Sequence, residues 1–173
     1  MTRLILICAF ILSVLAAPVQ AQSSDYRELA WSDLLPEGEA ANISRLMEMQ
    51  ARQSGFDHFG TSSMPQIQTF NTVDALDGQR VRIPGYVLPF DMTGPGEVTR
   101  FLLVPYVGAC IHVPPPPPNQ LVYVETETAV ELEGMWDAVY AEGILHTRRE
   151  DNDLGDAAYT LELTSLSPYR PGG

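Results

Sequence analysis

Five consecutive prolines, Pro114, Pro115, Pro116, Pro117 and Pro118, constrain this chain more than any other feature. Proline lacks a backbone donor and its ring fixes φ. The run must therefore leave any sheet hydrogen-bond ladder and extend as a stiff polyproline segment. Any sheet here has to close one strand before the run and open another after it. Asn119 and Gln120 follow, and their amides can bond local backbone and anchor the far end. Two roles fit such a segment. It is a spacer that fixes the return to the sheet at Leu121, or an exposed docking element for an aromatic groove on a partner.

The pattern after Val73 is that of strands separated by turn residues. Residues 80–88 alternate Val81, Ile83, Gly85 and Val87 on one face, and 99–104 are nearly all apolar. Residues 107–113 read as a third strand running into the prolines, and 121–124, 138–145 and 159–166 as the remaining ones. Between them, 125–133 read as a loop-like stretch with Glu125, Glu127, Glu131 and Glu133 as a solvated face, and 150–156 as an acidic turn. The expected fold is mainly β: a small five-stranded barrel of the oligonucleotide/oligosaccharide-binding (OB) shape, with an open sandwich of the same strands as the alternative.

Before Val73 the period changes. Trp31, Leu34 and Leu35 form a short turn ended by Pro36, and Ile43, Leu46, Met47 and Gln50 recur at helical steps. An amphipathic helix is predicted over about 39–53, stopped by Gly55. Residues 56–71 read as an extended surface linker.

The chain opens with Arg3 and an apolar run over 4–17, which is short for a membrane span but suits a secretory signal. Val19-Gln20-Ala21 approximates a cleavage site, so 1–21 are expected to be removed, with 22–28 a flexible leader, 29–72 an N-terminal segment packed on the barrel, and 73–169 the barrel. Ile7 before Cys8 argues against a lipid anchor. The expected destination is the periplasm of a Gram-negative bacterium, without stable membrane insertion. The formal charge is −12, or −13 once Arg3 is lost, and every basic residue is Arg. Such a chain repels nucleic acid and anionic membranes.

Cleavage leaves Cys110 without a disulfide partner. If 107–113 are extended, Cys110 and His112 share a face about 7 Å apart. A thiolate and an imidazole so placed suit zinc or copper, with Asp91, His146 or His58 as further ligands. A buried, inert Cys110 with a rim His112 is the simpler alternative, and the spacing does not favour direct contact of nucleophile and base. No Ser-His-Asp spacing, phosphate loop or dinucleotide fingerprint is present.

WSDLLP, GYVLPFD, FLLVPYVGACIHVPPPPPNQ and the closing SLSPY together resemble an exported bacterial family, domain of unknown function 3299, over about residues 29–169. The resemblance implies that Cys110, His112 and the prolines act as a unit and hints at transporter-linked metal handling. The resulting expectation is a non-enzymatic periplasmic protein that holds a metal through Cys110 and His112, with His146 and Asp91 assisting. The alternative is a docking module for an envelope or transporter protein, using Pro114 to Pro118 and Asn119 with a structural Cys110.

Overall fold

The structure, a computed structural model, describes residues 25–53, 65–92, 94–110, 115–134 and 136–170. Among the described residues the fold is mainly β with one α-helix, α1 (Glu39–Gln53), near the N-terminus. Six strands follow the chain: β1 (Arg27–Glu28), β2 (Gln79–Pro89), β3 (Glu97–Val104), β4 (Val122–Glu131), β5 (Ala138–His146) and β6 (Tyr159–Pro168). Five of them, β2-β3-β4-β6-β5, close into the barrel expected from the sequence, because β5 pairs back onto β2. β4 and β6 run parallel and the other barrel pairs antiparallel. Arg27 and Glu28, placed by the sequence reading in a flexible leader, pair instead with Val81 and Arg82 as an added parallel edge.

Closure depends on β2 changing neighbours along its length. Gln79 to Tyr86 pair with β5, while Tyr86 to Pro89 pair with β3. Gly85 lies at the handover, where a Cβ would stand 2.9 Å from both Leu103 Cγ and the Val104 carbonyl oxygen. Only glycine lets the two strands approach this closely.

The barrel interior is filled by alternate strand residues, among them Val81, Ile83, Phe101, Leu103, Val124 and Leu161. Leu29 and Leu34 from the N-terminal segment join this cluster, so that segment is part of the core. The Tyr159 hydroxyl fixes it there, accepting from the Val73 amide at 2.7 Å and donating to the Leu34 carbonyl at 2.8 Å. A second cluster lies on the other side of β3 and β4, where Leu102, Val104, Leu121 and Tyr123 pack with Ala109 and Ala157. Two covered faces explain why 101–104 lack alternation.

Two expectations are corrected. The described part of 107–113 turns back over the outer cluster and forms no strand. Gly108 and Cys110 both hold left-handed φ, +81° and +65°, which breaks the period of two. Residues 125–131 continue β4 instead of looping, held by β3 through Glu97↔Glu131 and Val98↔Val130.

Candidate functional site

Cys110 sits half-buried in the turn after β3, packed against the outer apolar cluster. Burial pushes its thiol up to about 11. The phenol of Tyr106 is raised as well, by burial first and then by Cys110 nearby. Asp91, just beyond β2, accepts from Arg100 Nη2 at 2.7 Å, with both side chains about half exposed. His146, at the end of β5, has Asp77 Oδ1 3.7 Å from Nδ1 and Glu162 Oε1 3.2 Å from Nε2. Nε2 makes no hydrogen bond among the described residues, so Glu162 lies beside the ring without bonding it. These carboxylates flank opposite edges of the ring and do not converge on one point.

Among the described residues no three His, Cys, Asp or Glu side chains form a group able to hold a metal. Cys110, Asp91 and His146 are thus not brought together, and the shared strand face proposed for Cys110 is replaced by a left-handed turn. His112 and His58 lie outside the described residues, as do Pro114, the apolar run 4–17 and the helix stop at Gly55.

The proline run is an internal strut. Pro115 is half-buried and Pro116, Pro117 and Pro118 are buried, so the described prolines project little free surface of their own. Their carbonyls are used within the chain. Gln66 Nε2 donates to the Pro116 carbonyl at 2.7 Å, Gln120 N to Pro117 at 2.8 Å, and Ala158 N to Pro118 at 2.8 Å. A stiff segment without donors suits this position, because its carbonyls can meet neighbouring amides while no N–H is left to satisfy.

Asn119 ends the strut fully buried and meets a residue that the sequence reading passed over. Glu39, in the first turn of α1 and only 6% exposed, gathers four side-chain donors. Oε1 accepts from Thr69 Oγ1 and from Asn119 Nδ2 at 3.3 Å, and Oε2 from Asn71 Nδ2 at 3.0 Å and Asn42 Nδ2 at 3.4 Å. Burial disfavours the charge, but the four donors outweigh it and hold the carboxyl below its ordinary value. Asn119 Nδ2 also reaches the Asn71 carbonyl at 3.2 Å. Thr69, expected on a surface linker, is therefore buried. An acidic residue at a helix start was the one signal available beforehand, since the partners lie 3, 30, 32 and 80 residues away.

Between α1 and the strut lies an apolar groove of about 680 Å³. Ala40, Ile43, Met47 and Ala51, three or four residues apart, form one wall, and Pro115, Pro116 and Pro117 the other. Leu35, Pro65, Ile67, Pro105 and Tyr106 complete the apolar lining. Met47 is 49% exposed and Tyr106 45%, so the groove is open to solvent between them. The two amide side chains at its edge are engaged: Gln50 Nε2 donates to the Pro65 carbonyl and Gln120 Nε2 to the Trp31 carbonyl. Glu39 and Asn119 tie the two walls together from behind.

The family model for DUF3299, a protein of unknown function, matches residues 31–168. No curated protein matches the chain. The crystal structure of a DUF3299 family protein from Pseudomonas aeruginosa PAO1 is similar, at 35% identity and a TM-score of 0.67, over 86% of this chain and 99% of that one.

Proposed function

Since the chain belongs to the DUF3299 family, whose function is not established, we propose from its own geometry that it is a non-enzymatic interaction module of the periplasm, exported by a cleaved signal, which receives an apolar segment of an envelope protein in the groove between α1 and the proline strut. The observation that carries this reading is the direction of the helix's apolar stripe. A surface helix normally buries such a stripe against its own domain. Here Ile43 is buried but Ala40, Met47 and Ala51 of the same stripe line an open groove, and among the described residues α1 makes only sparse contact with any one strand of the barrel. The size suits a ligand of several apolar side chains.

This reading is preferred over metal handling because of what surrounds Cys110. With no metal beside it, burial keeps the Cys110 thiol protonated at neutral pH, so a metal binding there would have to displace that proton.

The test uses a neutral amphipathic peptide of about three to four helical turns, Leu on one face and Gln on the other. Its binding to the purified protein is followed by fluorescence anisotropy. Met47→Gln removes an apolar wall without charge or helix penalty, and should weaken binding roughly tenfold. Failure of the peptide to bind, or affinity indifferent to the substitution, would count against the groove.

A further inference from the structure

Resting on the groove reading and deepening it, we infer that the segment the groove takes is a basic amphipathic helix of a partner protein. The walls decide between an extended and a helical occupant. An extended segment that docks by strand addition pairs its backbone with free N–H and C=O groups. This groove offers Pro65, Pro105, Pro115, Pro116 and Pro117, none of which has an N–H, and a helix whose amides are bonded within it. Gln50 and Gln120 donate to internal carbonyls. A helix satisfies its own backbone and asks of the groove only apolar contact.

Charge decides the helix's outer face. The acidic segment 150–156 packs against the strut: a Cβ on Gly155 would lie 3.3 Å from Pro115 Cβ. The Gln66 side chain staples the two, donating to the Pro116 and Asp156 carbonyls and accepting from the Asp156 amide at 2.9 Å. This segment carries Glu150, Asp151, Asp153 and Asp156, with Asp151 and Asp153 exposed. Arg149 is shared between Asp151 and Asp156, while its guanidinium lies 3.7 Å from the centre of the Phe70 ring. The strut side of the groove is therefore negative, while the α1 side carries Arg45 and the exposed Arg52–Glu48 pair, so a partner whose polar face is basic is steered to lay that face toward the strut.

Three peptides with the same Leu face and Gln, Lys or Glu on the other separate this inference from the reading beneath it. The Lys peptide should bind about tenfold or more tightly than the Glu peptide at low salt, with the margin shrinking as salt rises. Asp151→Asn with Asp153→Asn should shrink it too and leave the Gln peptide unchanged, and Met47→Gln should weaken all three. Equal affinities that all fall with Met47→Gln would overturn the basic helix and leave the groove standing. Lys-peptide binding untouched by Met47→Gln would reveal general attraction to an acidic chain and overturn the inference. Self-association broken by Met47→Gln, seen by sedimentation, would make a second copy the occupant and overturn it as well. No binding of any peptide, with a neutral single-chain lipid bound instead, would overturn both.

Discussion

A thiol raised to about 11 is almost wholly protonated at neutral pH, and this fixes how Cys110 behaves. Only the thiolate attacks alkylating reagents or binds zinc. Reaction of the folded protein with iodoacetamide should therefore be slow at pH 7 and climb about tenfold per pH unit until near 11, whereas unfolded protein should level off near the ordinary thiol value. A rate that levels off below pH 8 in the folded protein would contradict the apolar nest. The sequence contained the residue types at this position but not their arrangement. Cys110 and His112 two apart share a face only if the backbone stays extended, and the left-handed residue at 110 is a decision of tertiary packing over the outer cluster. Asp91 and His146 were plausible ligands by chemistry alone. Asp91 is held by Arg100 across the β2–β3 hairpin, while the carboxylates beside His146, Asp77 and Glu162, come from the turn before β2 and from β6, the two strands that β5 pairs with.

At the scale of elements, the strands and α1 were legible because each is built from a local period, two for the barrel and about 3.6 for the helix. The failures lie where context overrides period. Residues 125–131 look like a charged loop, yet pairing with β3 holds them as strand. The proline run was legible as stiff but not as buried, because burial depends on Gln66 and Ala158, far off in sequence, covering its carbonyls. Asn119 terminates this strut and links it to α1 through its bond to Glu39. Asn119→Ala removes a buried donor from Glu39 and from the Asn71 carbonyl, and leaves that carbonyl with one partner fewer. The expected loss is about 1–3 kcal/mol in urea unfolding, with the slope unchanged. Binding of the Leu/Gln peptide should weaken alongside, since the two groove walls lose a tie. Unchanged stability would show that the link is replaced by water and that the walls hold without it.

For the whole molecule, Glu39 is where α1, the 69–71 segment and the strut are held together, with Tyr159 performing a similar service between the barrel and the N-terminal turn. The lowered carboxyl value sets how this cohesion depends on pH. A group whose folded value lies below its unfolded one contributes stability that is fully present above the unfolded value, near the ordinary carboxylate range, and is lost as pH falls through the folded value. Glu39→Gln abolishes that dependence at this site and turns an acceptor oxygen into an amide that faces donors from Thr69, Asn71, Asn42 and Asn119. The variant should melt below the wild type at pH 7. The gap should stay constant down to about pH 5 and then narrow as the wild-type carboxyl takes up its proton, because the protonated acid and the amide present similar patterns of donor and acceptor. Thermal melts of both proteins between pH 3 and 7 check the sign. A gap that widened on acidification would mean that Glu39 is more easily protonated in the folded protein than in the unfolded chain, and that the four donors do not outweigh the cost of burying its charge.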